Sequence, residues 1–365
     1  MALMRYYLDY NSTHPVLPEV YSKLATINGI DANSSSQHSR GKSALKKINQ
    51  TTEFLKNFFH CDFDVIYHSG ATEFLNTVFS PQNCDQLIYS QCDHSAVHKI
   101  AEFRRSLALD SLKLGHLSSQ KDWLKELNKF NQSGFKSWFN FQWMNNETGE
   151  VLSYELIDKI KSQTNCLVHV DAVQVVGKIK NFQNLPPNAD IITFSGHKFG
   201  ALKGVGFSFI NPSIKLKPLI HGGGQQNSMR SGTMNLHGIL SLQAALESRD
   251  FNQDFIEGEK LKREICQLIQ KNSKLEFIQS SSSNTICFMH ESLNSDAMLT
   301  HFDLAGLDVG TGSACTSGSL SPSQTLEAMG YQNGAKRNIR LSLGPSNWEH
   351  QSEILIKLEK VLDKI

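Results

Sequence analysis

Leu167-Val168-His169-Val170-Asp171 and Asp190-Ile191-Ile192-Thr193-Phe194-Ser195 decide the fold. Each is a short, apolar, β-rich run that ends on a polar group. That is the pattern of a strand buried on both faces of a parallel sheet, with its last residue at the edge. Working outward, Val65-Ile66-Tyr67-His68, Gln86-Leu87-Ile88-Tyr89-Ser90 and Gly206-Phe207-Ser208-Phe209-Ile210 read as further strands. A helical pattern follows Ser69-Gly70-Ala71-Thr72. Strands alternating with helices predict an α/β fold: a large, mainly parallel mixed sheet with helices on both faces. Ligands of such sheets sit beyond the carboxyl ends of the strands, where Thr72, Asp171 and Ser195 fall.

Toward the C-terminus, Asn235 to about Asn272 is helix-permissive, with Gly258 as the expected break. A long helix there would join the large unit to a smaller α/β C-terminal one. Leu275–Ile278, the Ser280–Ser283 turn and Thr285–Met289 read as a hairpin, and an amphipathic helix runs from about Glu349 to the end. The expected division is a large domain over 15–245 and a small domain made of 1–14 with 246–365.

Bulk composition agrees. A chain of 365 residues with 39% apolar content can build two such units. Its 36 basic and 35 acidic residues leave a net charge of +1, which offers no electrostatic case for nucleic acid or a membrane surface. The seven cysteines are scattered singly, without C-x-x-C spacing. That pattern argues against a disulfide framework and a zinc site, so no metal is expected and a reducing, cytoplasmic setting fits. The N-terminus shows no signal-peptide pattern, and no apolar run approaches the roughly 18 residues a membrane crossing needs.

Chemistry concentrates in a few places. Lys198 follows a strand in Ser195-Gly196-His197-Lys198. Alone it reads as a loop lysine, but an amine held there and neutral part of the time can form a Schiff base with a carbonyl cofactor. Gly70-Ala71-Thr72 stands at a helix start, which is either an ordinary cap or a phosphate site. Asp171 can cap a helix or hold a pyridinium N–H and so strengthen an electron sink. His94 is either a solvated loop histidine or a group that stacks on a ring or carries a proton. Gly310-Thr311-Gly312-Ser313-Ala314-Cys315-Thr316-Ser317-Gly318-Ser319 is too polar and glycine-rich to pack as core, so Cys315 reads as a reactive thiol.

Taken in order, these segments resemble the cysteine desulfurases of the NifS/IscS type, class-V aminotransferase-like enzymes of pyridoxal-phosphate fold type I. The resemblance runs from Tyr7-Leu8-Asp9 to Arg340-Leu341-Ser342-Leu343-Gly344. Between them it takes in Asn33–His38, Ser69–Glu73, Asn145-Asn146-Glu147, His169–Gln174, Ser195–Lys198, Gly222–Gln225, Arg230–Thr233 and Gly312–Cys315. It implies that Lys198 binds pyridoxal 5'-phosphate covalently and later takes the substrate α-proton. Ala71, Thr72, Ser195 and His197 would hold the phosphate. Thr233 would reach it from the partner subunit of a homodimer. Asp171 would pair with the pyridine nitrogen, Gln174 with the ring hydroxyl, and His94 would stack on the ring and help carry protons. Asn146 and Arg340 would bind the carboxylate of L-cysteine, a task suited to a planar fork of donors. Cys315 would take the sulfur as a persulfide for an acceptor protein, leaving L-alanine.

Several positions depart from the family pattern. Thr13-His14 stands where two threonines are usual, Leu202 where a proline is, and Pro345 where a basic residue is common. The chain ends at Ile365, directly after the last expected helix, whereas members that feed an iron–sulfur scaffold often carry a further docking tail. The usual scaffold partner is therefore not assumed, and iron–sulfur assembly and transfer-RNA thiolation both stay open. A selenocysteine lyase or another class-V enzyme would use the same framework. A catalytically silent docking or regulatory protein would not need Lys198, Asp171, His94 and Cys315 together.

Overall fold

The computed structural model describes residues 4–26, 32–118, 122–131, 134–312 and 321–365. Cys315 lies outside them. In chain order the first elements are β1 (Tyr6–Tyr7), α1 (Pro18–Ala25), α2 (Ser39–Phe58), β2 (Asp64–His68), α3 (Ala71–Val78), β3 (Gln86–Ser90), α4 (Ser95–Ser106) and β4 (Ser111–Leu114). Next come α5 (Trp123–Phe130), β5 (Ser137–Gln142), α6 (Glu155–Gln163), β6 (Leu167–Asp171), β7 (Ile191–Ser195), β8 (Gly206–Ile210), α7 (Leu236–Glu247) and α8 (Phe251–Lys271). Last are β9 (Leu275–Ile278), β10 (Thr285–His290), α9 (Ser295–Leu304), β11 (Leu307–Asp308), α10 (Gln324–Ala328), β12 (Asn338–Ser342) and α11 (Gln351–Leu362).

Seven strands form the large sheet, in the order β2-β8-β7-β6-β5-β3-β4. The β4–β3–β5–β6–β7 run is parallel, and β8 is antiparallel to both β7 and β2. Alternation along the strands sends side chains to two cores. Phe139, Phe141, Val168, Val170, Phe194, Phe207 and Phe209 face α2, α5, α6 and α7. Ile66, Leu87, Tyr89, Trp138 and Ile191 face α3 and α4. Buried on both faces, the strands carry the continuous apolar runs seen in the sequence. A third core joins Tyr6 and Leu8 to Leu261, Ile265, Phe288, Ile339, Leu341, Ile354 and Leu358, around the antiparallel sheet β12-β10-β9. The β9–β10 hairpin pairs as read, Phe277 opposite Phe288. Among the described residues no helix is long and apolar enough to cross a membrane.

One expectation fails. The single helix over 235–272 is two, α7 and α8, and the break lies at Ser248–Asp250 rather than at Gly258. The Asp250 side chain caps the N–H groups of Asn252 and Gln253, both at 3.1 Å, which starts a new helix. Gly258 stays inside α8 because a Cβ there would come within 2.9 Å of the Ser283 carbonyl oxygen. It is a close-packing glycine and not a breaker. The serine turn is a loop as read, but Ser282 and Ser283 are buried, since their N–H groups dock on the Gly149 and Lys178 carbonyls at 3.3 and 2.8 Å.

The sheet order places the ligand edge. After β3 the chain moves outward to β4, then returns past β3 to β5. The loops that follow β3 and β5 therefore diverge and leave a crevice at the carboxyl ends. His94 follows β3 and Asn146 follows β5.

Candidate active site

The crevice is a cavity of about 640 Å³. It is lined by Ala71, Thr72, His94, Asn146, Asp171, Gln174, Ser195, His197 and Lys198. Nine of the residues picked from the sequence are thereby brought together from five separate loops and strand ends. Arg340 is one layer out: it is buried, and its Nη1 donates to the Asn146 carbonyl at 3.1 Å. Its Nη2 pairs with Asp9 at 2.6 Å. Thr233 is exposed and does not line the cavity. Arg230, three residues before it, binds Glu73 of α3 at 3.0 Å.

Each chemical group is positioned by its local fold. Lys198 sits in a single 3-10 turn, Gly196–Lys198, directly after β7. Gly196 is tightly packed, since a Cβ there would come within 2.8 Å of the Leu242 side chain and 3.1 Å of the Val205 carbonyl oxygen. The turn aims Lys198 Nζ at the Asn11 and Ser12 carbonyls, each at 2.8 Å. Burial and then the nearby Arg340 push its amine down to about 8, against an opposite pull from Asp171. Asp171 ends β6, and its Oδ1 accepts from Val173 N–H at 3.0 Å. Burial pushes its carboxyl up to about 6. His94 caps α4 by accepting from Ala96 N–H at Nδ1, 3.2 Å, so its proton sits on Nε2. Dehydration by the cavity walls, then Lys198, push its imidazole down to about 4, so it is neutral at physiological pH. His197, beside Thr13 Oγ1 at 3.2 Å, is pushed down to about 4 by burial first and Lys198 second.

One layer below the cavity floor runs a row of buried polar side chains. Asp93 accepts from Asn140 Nδ2 at 2.9 Å, and Asn140 Oδ1 meets His169 Nδ1 at 2.8 Å. His169 Nε2 meets Thr193 Oγ1 at 2.8 Å, Thr193 meets Ser208 Oγ at 2.8 Å, and Ser208 meets His68 Nε2 at 3.0 Å. The row ties together the strands that end on the cavity residues. Buried polar groups satisfied in this way lock relative strand positions.

Reading the sequence missed several lining residues: Ser12, Thr13, Glu73, Gln142 and Lys203. Gln142, the last residue of β5, is placed by the strand-end rule once Ser137–Gln142 is read as a strand. The carbonyls of Asn11 and Ser12 are backbone groups and leave no side-chain signal.

The donor set fits pyridoxal phosphate. The N-terminus of α3, with the hydroxyl and imidazole of Ser195 and His197, makes an anion cradle. A carboxylate, an imidazole and a lysine with a lowered amine line the same cavity. The cavity volume suits a ligand of that size. The family model for aminotransferase class-V matches residues 6–355. The chain belongs to the class-V aminotransferase family. Its relatives in that family are pyridoxal-phosphate enzymes. The cysteine desulfurase IscS of Dictyoglomus turgidum is 29% identical to this class-V chain over 378 residues, covering 98% of the chain and 95% of that protein. A solved NifS-like protein from Rickettsia africae superposes with a TM-score of 0.85 at 25% identity, covering 98% of this chain and 99% of that one. SspA, solved in complex with cysteine, superposes with a TM-score of 0.75 at 25% identity, over 93% of this chain and 99% of its own.

Six cysteines fall among the described residues, all free and unpaired: Cys61, Cys84, Cys92, Cys166, Cys266 and Cys287. Burial pushes every one of these thiols up, Cys84, Cys92 and Cys287 to about 12, which leaves them poor nucleophiles.

Proposed function

We propose that this class-V chain is a cysteine desulfurase that converts L-cysteine to L-alanine and leaves the sulfur as a persulfide on Cys315. The observation that carries the reading is the meeting of Lys198, Asp171, His94 and an anion cradle in one cavity. Full-length similarity to desulfurases and a neighbour solved with cysteine support the substrate.

Bound pyridoxal phosphate supplies an electron sink that makes the α-hydrogen of an amino acid acidic and its Cβ–S bond labile. The remaining work belongs to the chain. Lys198 would hold the cofactor and would take the substrate α-proton at Nζ. Asp171 would keep the pyridine nitrogen protonated, Gln174 would meet the ring hydroxyl, and Ala71, Thr72, Ser195 and His197 would bind the phosphate. Arg340 and Asn146 would fix the substrate carboxylate, and His94 would cover the ring with its Nε2–H as a donor. The Cys315 thiolate attacks the substrate sulfur, and an S–S bond forms as Cβ–S breaks. The sum is cysteine plus a thiol giving alanine plus a persulfide.

Glu147, the neighbour of Asn146, meets described residues on either side of Cys315 in the sequence. Ser323 Oγ donates to it at 2.5 Å, and its carboxylate fills the place of a Cβ on Gly312. That nearness of Gly312 and Ser323 to Asn146 supports the role proposed for Cys315.

A homodimer in which Thr233 completes the partner's phosphate site, the division into 15–245 and 1–14 with 246–365, and a sulfur-acceptor protein belong to the same proposal. The test is Cys315→Ser. It should keep the yellow chromophore and the exchange of the substrate α-hydrogen for deuterium, yet lose alanine and persulfide formation by about a hundredfold or more. Alanine formation near the parent rate, or persulfide mapping first to another cysteine, would overturn the reading.

A further inference from the structure

Lys178 is 5% exposed and stands outside the mechanism above. Its backbone is pinned. The preceding Gly177 has φ 72°, and a Cβ there would come within 2.9 Å of Phe251. Ser283 donates both its N–H, at 2.8 Å, and its Oγ, at 3.1 Å, to the Lys178 carbonyl. The side chain therefore runs inward, and Nζ donates to Gln174 Oε1.

The other end of that amide is fixed as well. Gln174 Nε2 donates to the Asn11 carbonyl at 2.9 Å, the same oxygen that accepts from Lys198 Nζ at 2.8 Å. A carbonyl only accepts and a lysine nitrogen here donates, so the two partners agree on which way the amide lies. One N–H of Gln174 remains, and Gln174 lines the cavity.

We infer that Lys178 is a positioning residue that holds Gln174 with an N–H donor toward the cavity, so that the ring hydroxyl of the cofactor meets a donor and stays ionised. This rests on the proposed reading that pyridoxal phosphate binds with its hydroxyl opposite Gln174. Lys178 is faced by Lys198, Arg340 and Arg249, with Asp9 opposing them, and burial pushes its amine well below the ordinary lysine range. Either protonation state keeps an N–H for Gln174 Oε1, and the Asn11 carbonyl, which only accepts, sets the direction by holding Nε2 on its own side. Without Lys178 only the Asn11 carbonyl orients the amide, and that oxygen is shared with Lys198 Nζ, so one of two orienting partners is lost and the donor is held less firmly toward the hydroxyl.

The test compares the parent, Lys178→Met, Gln174→Ala and the double variant, each loaded with pyridoxal phosphate, by the pH titration of the bound chromophore. A donor to the ionised hydroxyl lowers the proton affinity of the chromophore. Lys178→Met should therefore raise the titration midpoint by about one pH unit, a tenfold change. The double variant should titrate with Gln174→Ala alone, because Lys178 acts through that amide. An unchanged midpoint in Lys178→Met overturns the inference. So does a Lys178→Met shift that persists undiminished in the Gln174→Ala background, which would mark a bare charge effect. If circular dichroism finds Lys178→Met unfolded, Lys178→Gln, which keeps a side-chain donor, should hold the parent midpoint, and a shift matching Gln174→Ala overturns the inference. A parent protein that forms no chromophore with pyridoxal phosphate instead sinks the underlying cofactor reading, which keeps the two failures apart.

Discussion

At Lys198 the amine is held by two backbone carbonyls and drawn down to about 8 by burial and Arg340. An unfolded lysine titrates near 10.4. Between those values the unfolded chain binds more protons than the folded one, so this group's contribution to stability rises with pH across that window. Its chemistry follows the same curve, because only the neutral amine attacks a carbonyl. Uptake of pyridoxal phosphate by cofactor-free protein should quicken about tenfold per pH unit up to about 8 and then level off. Stopped-flow absorbance reads the rate, and a profile flat from mildly acid to mildly alkaline pH would contradict the assignment. Lys198→Ala should form no borohydride-stable link to the cofactor. Lys198 could be found from sequence because Ser-Gly-His-Lys follows a strand and joins an ordered set of segments that resemble one family, whereas alone it reads as a loop lysine. The Asn11 and Ser12 carbonyls that aim it could not, since any residue has a carbonyl.

Among the elements, α3 and α4 depend on a group that the sequence does not advertise. Arg104 is fully buried on α4, and its guanidinium donates to the carbonyls of Phe79 at 3.0 Å, Cys84 at 2.9 Å and Asp85 at 2.7 Å. These carbonyls lie at the end of α3 and in the loop into β3, where orphan acceptors need partners. Arg104→Met should destabilise the protein by about 3 kcal/mol, because several buried carbonyls lose their donor at once. Urea unfolding of the cofactor-free protein measures it, and a loss no larger than that of an exposed arginine variant would refute the role. The α7–α8 junction teaches a related lesson. The stretch from 235 to 272 is helix-permissive throughout, and Gly258 looks like the interruption. Yet the Asp250 cap sets the start of α8, while Gly258 answers to Ser283, twenty-five residues away in sequence. Local propensity ranks glycine as a breaker, but a tertiary close approach overrides it.

For the whole molecule, Thr233 lies exposed on the surface, outside the cavity, after the Gly222–Gln225 loop. Within the proposal a second copy brings it to the phosphate. Sedimentation of the cofactor-loaded protein at micromolar concentration should give a dimer, and a stable, fully loaded monomer would refute that part. The amino-acid sequence by itself determined the α/β class, the mainly parallel sheet, the C-terminal hairpin and nine of the residues that line the cavity. Apolar strands that end on chemical residues put those residues at one edge of the sheet wherever the strands happen to pair. Only the tertiary structure decided the strand order, the break between α7 and α8, the ion pair of Arg340 with Asp9, and the chain of contacts from Lys178 through Gln174 to Asn11. Those features are set by contacts between residues far apart in the chain, through backbone groups or lone amides, and no local pattern of letters encodes which of them will meet.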